Sequence, residues 1–222
     1  MQDVGADIWI LTESRETVSP GEGFTLVARS GRDGAEQDGE CWVAIWSRVG
    51  GAQLPTSDQD RSAALELGAG SSQPLVVFGT VLPWLGSPWR DAPASNGRAF
   101  TQSLALQVAD WRRFKTADPS RHLCVAGDFN QDLLRVGHYY GSKIGRASLR
   151  AALADEALMC PTADPDDAVW HHTNGKASGI DHICISDRLS ASPATVRVWP
   201  APSALGSALT DHFGVCITVA AS

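Results

Sequence analysis

The residues best suited to chemistry follow one short apolar run, residues 123–126, which leads through Gly127 to Asp128 and Asn130. Alternate residues of a strand face the same side, so these two polar side chains are predicted to project together at the end of a strand. A carboxylate and a carboxamide in that position are costly unless they bind a metal, a substrate or a polar network. The alternative is structural, an Asp/Asn turn that caps the strand by bonding its own backbone.

Three further segments place an acid at or beside the end of an apolar run. Glu13 follows residues 8–11, Asp181 precedes another apolar run, and Asp211 and His212 precede a third. An Asp–His pair can arise as an ordinary buried hydrogen bond. Here both Asp181 and Asp211 are followed by histidine, and each dipeptide flanks an apolar strand, which favours a polar site over an isolated contact.

Taken in order, these four segments resemble the endonuclease/exonuclease/phosphatase superfamily, which has the fold of deoxyribonuclease I and the abasic-site endonucleases. The resemblance covers about residues 5–219. It depends on a strand that ends in Glu, then Gly-Asp-Phe-Asn, Ile-Asp-His-Ile and a final Asp-His before the last strand, a set that is specific only jointly. The resemblance implies an α+β fold, a four-layer α/β/β/α sandwich of two mixed β-sheets, with residues 1–222 as a single domain.

The resemblance also implies roles for four catalytic residues in phosphoester hydrolysis. Asp128 would orient or deprotonate the attacking water, and Asn130 would hold the phosphate and that water. His212 would contact a phosphate oxygen, while Asp181 would bond the far nitrogen of the imidazole ring to fix its tautomer. His182 is predicted to be structural, because neighbouring residues on a strand face opposite sides.

Glu13 and Asp211 would serve the metal, by the same resemblance. Oxygen ligands of this kind suit a hard cation such as Mg²⁺ or Mn²⁺. The predicted function is therefore a divalent-metal-dependent phosphoesterase, which hydrolyses a phosphodiester or a phosphomonoester by in-line attack of an activated water. The alternative is a catalytically weak or inactive relative that acts as a binding module.

Two departures from the family pattern favour that alternative. Many relatives carry Thr-His-Leu where this chain has Thr80, Val81 and Leu82, so a histidine donor is missing; His171 or His172 could replace it. Only seven residues precede the strand at 8–11, too few for another strand and its connection. We therefore expect the chain as written to lack the first strand of the family, with its Asn near the metal.

Several residues are candidates for substrate contacts. The segment 137–146 is the first place to look, because it is polar and follows the proposed catalytic strand. The candidates are Arg90, Tyr139, Tyr140, Lys143 and Arg146.

Composition sets limits on partners and location. The net charge of −7 argues against a protein that coats nucleic acid, although it is compatible with a nuclease whose acidic site is offset by a cation. The partner is predicted to be a phosphoester substrate, with nucleic acid among the candidates, and the oligomeric state is left open. Because no apolar stretch is long enough for a membrane span and no secretory signal is recognisable, the expected location is cytoplasmic. The five cysteines form no Cys-x-x-Cys pair and are predicted to be reduced, without zinc or a disulfide framework.

Hydrophobic periodicity predicts about ten strands and two helices to position these groups. The segment 41–47 is predicted to be a central strand, 24–28 an edge strand, and 8–11 a strand covered on both faces. Residues 170–173 and 180–185 are predicted to form a hairpin across Asn174 and Gly175. The remaining predicted strands are 63–67, 75–82, 123–128, 196–199 and 213–219, and the predicted helices are 99–115 and 145–158.

Overall fold

A computed structural model describes residues 4–33, 37–92, 97–134, 137, 140–163, 167–187, 189, 195–199 and 212–219. Short strands dominate, with one long helix and two shorter helices among them. In chain order the elements are β1 Ile8–Arg15, β2 Thr25–Arg29, β3 Glu40–Ser47, β4 Ala52–Leu54, β5 Ser62–Leu67, β6 Leu75–Val81, α1 Arg98–Ala117, β7 His122–Asp128, α2 Lys143–Asp155, β8 Leu158–Met159, α3 Ala168–His172, β9 Asp181–Ser186, β10 Thr195–Trp199 and β11 Gly214–Thr218.

Two compact units can be distinguished along the chain. The first unit comprises residues 1–82 and 102–128, and the second comprises 83–101 and 129–222. The strands form a three-stranded sheet in the order β1-β3-β2, a six-stranded sheet in the order β4-β5-β6-β7-β9-β8, and a β10-β11 pair. β6 and β7 run parallel, whereas the other pairs with a defined register are antiparallel.

The first unit is a sandwich, because side chains of β1 and β3 pack against the face of β6. A Cβ added at Gly79 of β6 would lie 2.5 Å from Val43 and 3.3 Å from Ile10, so a glycine is needed where the two sheets approach. The shared core joins residues of four strands. Its buried members are Ala28, Trp42, Val43, Ile45, Ala63, Leu65, Val77 and Val81.

Helix α1 covers the other face of β6. The ring of Phe78 lies 6.1 Å from Trp111 and 6.4 Å from Phe114, at edge-on and tilted angles that aromatic pairs favour. Between these apolar contacts, the hydroxyl of Thr80 donates to Oε1 of Gln107 at 2.6 Å, so a buried polar atom is satisfied. The predicted amphipathic helix is confirmed, and it extends to Ala117.

Both short helices of the second unit begin at a capping side chain. Ser142 precedes α2 in an extended conformation, and its hydroxyl accepts a hydrogen bond from the amide of Gly145 at 2.9 Å. Asp167 precedes α3, and its carboxylate accepts from the amide of Trp170 at 2.7 Å. No helix among the described residues is long and apolar enough to cross a membrane.

Some local predictions were wrong. Residues 170–172 belong to α3, with Thr173 as its C-cap, and do not form a hairpin strand, because the Asp167 cap starts a helical turn there. Asn174 and Gly175 do take the left-handed conformation that their types predict, with φ of 53° and 77°. Helix α2 ends at Asp155 and not at 158, because the chain turns through a left-handed Ala157 into β8.

β1 also differs from its prediction. It continues to Arg15, so Glu13 lies within the strand and not beyond its end. None of its residues is buried, contrary to a strand covered on both faces. The reason is its place at one end of the β1-β3-β2 order, whereas β3 is central and β2 is at the other end, as predicted for those two.

Candidate active site

The backbone at the end of β7 requires a glycine. Gly127 has φ of 135°, and a Cβ there would collide with the carbonyl oxygen of Thr80. The glycine therefore allows β7 to approach β6 closely just before the acid. Asp128 closes the strand, and its carbonyl accepts from the amide of Leu82 at 2.9 Å.

Asn130 follows in a left-handed conformation, with φ of 49°. Asparagine tolerates this region better than most residues. The chain therefore turns after Asp128, so simple strand alternation does not describe the two side chains. Asp128 and Asn130 are 1% and 4% exposed, which places them in the interior and not at an open strand mouth.

A backbone hydrogen bond brings the next segment to this point. The amide of Phe129 donates to the carbonyl of Ile180 at 2.9 Å. Asp128 immediately precedes the first of these residues, and Asp181 immediately follows the second. Each acid is therefore the sequence neighbour of one member of a hydrogen-bonded pair.

Asp181 holds the histidine that precedes the last strand. Its Oδ2 lies 2.7 Å from Nδ1 of His212, and the two side chains are 17% and 30% exposed. Because a carboxylate only accepts, the ring must donate from Nδ1. In the neutral ring, this bond selects the Nδ1–H tautomer.

Three of the predicted residues form one group. An oxygen of Asp128, an oxygen of Asp181 and a ring nitrogen of His212 all lie within 4.8 Å of one another. Two carboxylates and an imidazole within that span could bind a divalent cation, so the donor set fits the metal that the resemblance implies. Asp211, predicted to serve the metal, lies outside the described residues. Glu13 is exposed, has φ of 49°, and is not a member of this group.

Gln131 was not predicted from the sequence, yet it fixes the turn that carries Asn130. It is 2% exposed, and its Oε1 accepts from the amide of Ser142 at 2.9 Å. A Cβ at Gly141 would overlap its side chain, and a Cβ at Gly145 would lie 2.8 Å from its Nε2. The only signal in the sequence is the pair of glycines on either side of a capping serine.

Asp132, the next residue in the chain, also stabilises this loop. Its buried carboxylate accepts from the amide of Tyr140 at 2.9 Å and lies 3.2 Å from Arg146, whose Nη1 also donates to the Gly137 carbonyl at 2.6 Å. Arg146, predicted to contact substrate, is thus committed to an internal ion pair. The Arg146 side chain, which was predicted to contact substrate, instead stabilises the loop that contains Gly137.

The other candidates for substrate contact differ in their contacts and in their exposure. The Arg90 guanidinium lies 4.6 Å from the centre of the Trp89 ring, a cation–π contact. Lys143 and Tyr140 are exposed, the latter at 42%. Tyr139 lies outside the described residues.

Three further histidines lie on α3 and β9. His171 is exposed at the end of α3, and the ring of His172 lies 5.9 Å from that of Phe213. His182 is 1% exposed, and its Nε2–H donates to the carbonyl of Gln131 at 3.1 Å, which agrees with a structural role. Val81 is fully buried in the sandwich core.

Comparisons with known proteins identify the fold that carries this group of residues. No protein-family profile and no curated protein sequence matches the chain at a significant level. The chain is similar in structure to an AP endonuclease from Archaeoglobus fulgidus, with a TM-score of 0.69 at 14% identity over 98% of this chain and 90% of the other. It is also similar to the 3′ phosphatase NExo from Neisseria bound to a product DNA hairpin, with a TM-score of 0.66 at 20% identity over 96% and 88%.

A third similar structure is the APE2 catalytic domain from Xenopus laevis, with a TM-score of 0.67 at 12% identity over 100% of this chain and 87% of the other. Identities this low show the fold alone. The chain therefore has the α+β sandwich fold of the deoxyribonuclease I-like endonuclease/exonuclease/phosphatase superfamily.

Proposed function

We propose that this protein is a divalent-metal-dependent phosphoric ester hydrolase. The observation that carries the proposal is the 2.7 Å bond between Asp181 and His212, in a group that also includes Asp128. An ordinary buried Asp–His contact would account for two of these residues. It would not account for a second carboxylate within 4.8 Å, on a fold that nucleases and phosphatases share.

The chain's own groups suit hydrolysis by an attacking water. Asp128 is an acceptor for the proton of that water, because a buried carboxylate beside polar partners is a competent general base. Asn130, two residues on, supplies an amide that can donate to a phosphate oxygen. Its left-handed backbone fixes where that donor lies.

His212 completes the set as the donor to a phosphate oxygen. With Nδ1–H bonded to Asp181, the protonated ring carries a second donor, Nε2–H, and the carboxylate stabilises its positive charge. Such a donor acts on the negative charge that develops in the transition state. Asp181 is thus a positioning residue for His212 in this scheme.

Mg²⁺ or Mn²⁺ is the cation that we propose for this site. Among the described residues, the carboxylates of Asp128 and Asp181 could hold it, because their oxygens lie within 4.8 Å of each other. Glu13 and Asp211 remain predicted ligands, and His212 is assigned to the phosphate. When bound, a divalent cation would neutralise the phosphate and lower the pKa of a coordinated water.

The substrate that we propose is a phosphoester of nucleic acid, either a phosphodiester or a terminal phosphomonoester. Support comes from the fold neighbours, among them a 3′ phosphatase bound to a DNA hairpin and an AP endonuclease. The net charge of −7 is not that of a protein that binds nucleic acid along its whole surface. A short, local contact at the phosphate agrees with both facts.

The test is a panel of substrates: duplex DNA with an abasic site, 3′-phosphorylated DNA, single-stranded RNA and a small phosphodiester. Each is assayed with Mg²⁺, with Mn²⁺ and with chelator. We expect at least one to be hydrolysed with either metal.

The buried Val81 favours the second candidate, a binding module without catalysis, since no donor is available at that position. Binding of DNA without turnover of any substrate, by a protein that also fails to bind Mg²⁺ or Mn²⁺, would establish that alternative.

A further inference from the structure

Two cysteines of the second unit lie opposite each other on neighbouring chain segments. β8 pairs antiparallel with β9 through Met159 and Ile185. One step further in the same register places Cys160 opposite Cys184. The chain stays beside β9 past this point, because the hydroxyl of Thr162 accepts from the amide of Ile183 at 3.0 Å.

This arrangement meets the requirements of a disulfide. Opposite residues of an antiparallel pair have Cα atoms about 4.5–5.5 Å apart, within the range of about 4.4–6.8 Å that disulfides span. The thiol of Cys184 also hydrogen-bonds that of Cys160, so the two side chains are already in contact. Neither is part of a disulfide in this structure, and Cys160 and Cys184 are 7% and 0% exposed.

We infer that Cys160 and Cys184 form a redox-active pair that closes to a cross-strand disulfide when a peroxide oxidises the protein. The inference does not depend on the proposed hydrolase activity, since neither cysteine belongs to the group of Asp128, Asp181 and His212.

Cys160 is the nucleophile of the pair. Cys160 is 7% exposed whereas Cys184 is fully buried, so peroxide reaches the sulfur of Cys160 first, and the hydrogen bond from Cys184 favours its thiolate. The thiolate is the reactive form of cysteine. Cys124 provides a contrast within the same chain, because burial raises its pKa to about 12.

Oxidation of the two thiols by hydrogen peroxide takes two steps. The thiolate sulfur of Cys160 attacks one oxygen of hydrogen peroxide; an S–O bond forms, the O–O bond breaks, and the hydroxide takes up the proton that the thiol released. The sulfur of Cys184 then attacks that of Cys160; the S–S bond forms, the S–O bond breaks, and water leaves with the second thiol proton. Two thiols and one peroxide thus give one disulfide and two waters.

Peptide mapping of the full-length protein tests this directly. Trypsin places each of the five cysteines on a different peptide, with Cys160 on residues 151–176 and Cys184 on residues 177–188. After treatment of the reduced protein with hydrogen peroxide and alkylation, we expect these two peptides to be joined and to separate on reduction. If they stay unlinked while the peroxide oxidises other thiols, or oxidises none, the inference is wrong.

Two variants check the assignment of roles. Without the resolving thiol, Cys184→Ala should accumulate a sulfenic acid at Cys160, captured by dimedone on residues 151–176. Cys216→Ala is the matched control, since Cys216 lies on β11 and should leave the disulfide yield unchanged. Dimedone labelling at any cysteine other than Cys160, or loss of the disulfide in Cys216→Ala, would contradict the inference.

Discussion

His212 and Asp181 are thirty-one residues apart in the chain, yet Nδ1 of the imidazole lies 2.7 Å from Oδ2 of the carboxylate. The carboxylate accepts from Nδ1–H, which fixes one edge of the ring. The residue before Asp181, Ile180, accepts a backbone hydrogen bond from the amide of Phe129 at 2.9 Å. The histidine is therefore bonded to an acid whose own chain segment is fixed by a backbone hydrogen bond.

The first prediction concerns this bond. Asp181→Asn keeps the shape of the side chain but removes its negative charge, so the positive charge of the protonated His212 ring is no longer stabilised. We expect the turnover of the responsive substrate to fall about 10²- to 10⁴-fold, the range for loss of a positioned acid or base. The measurement is kcat, with circular dichroism to verify the fold.

Asp187→Asn is the matched control, because Asp187 directly follows the same strand and is exposed. Its turnover should stay near that of the wild type. Equal activity of Asp181→Asn and wild type would mean that the Asp181–His212 bond is merely structural.

The second prediction is that Asp128 and Asp132, two buried carboxylates four residues apart, have different roles. Asp128→Asn is expected to abolish turnover, again by about 10²-fold or more, because the proposed proton acceptor is lost. Asp132→Asn leaves the site residues in place but deprives the Arg146 guanidinium of its partner. We expect it to lower the free energy of unfolding by about 3 kcal/mol, since an uncompensated charge would remain in the interior.

Urea unfolding and kcat, measured on both variants, test this contrast. The reverse pattern, with Asp128→Asn active and unstable, would transfer the structural role to Asp128.

The third prediction concerns metal removal. Excess chelator should abolish hydrolysis, and added Mg²⁺ or Mn²⁺ should restore it, because the carboxylates of Asp128 and Asp181 lie within 4.8 Å of each other and suit a hard divalent cation. Calorimetric titration should also show weaker metal binding in Asp181→Asn than in wild type. Full activity in chelator would remove the metal from the proposed mechanism.

Much of the fold was predictable because its signals are local. The apolar runs of β3, β6 and β7 and the periodicity of α1 each lie within one segment, so hydrophobic pattern alone located them. Asp128 and Asn130 were identified for the same reason, since the glycine, acid and amide are neighbours in sequence.

The predictions that were wrong depend on contacts between residues that are separated along the chain. A capping bond from Asp167 turned a segment with strand-like residues into α3. The loop after Asn130 is held by Gln131 and Asp132, whose partners lie about ten residues further on and carry no motif of their own. Arg146 therefore looked like a surface cation in the sequence, although it neutralises a buried acid.

The last prediction tests whether Gln131 is what requires glycine at the start of α2. Gly145 is buried in the first turn of that helix, and a Cβ there would lie 2.8 Å from Nε2 of Gln131, which is itself buried and bonded to Ser142. The Gln131 side chain cannot move aside without losing that bond. Gly145→Ala should therefore destabilise the protein by about 1–3 kcal/mol, the usual cost of overpacking, despite the better helix propensity of alanine.

The sign should reverse once Gln131 is shortened. In a Gln131→Ala background the space is open, so Gly145→Ala should stabilise the protein by about 1 kcal/mol through helix propensity. Ala147→Gly, at an exposed position of the same helix, is the matched control and should cost about 1 kcal/mol in both backgrounds. Urea unfolding of the four proteins in the cycle gives the coupling energy. If Gly145→Ala changes stability equally with and without Gln131, the glycine is required for some other reason and the proposed lock between Gln131 and α2 does not exist.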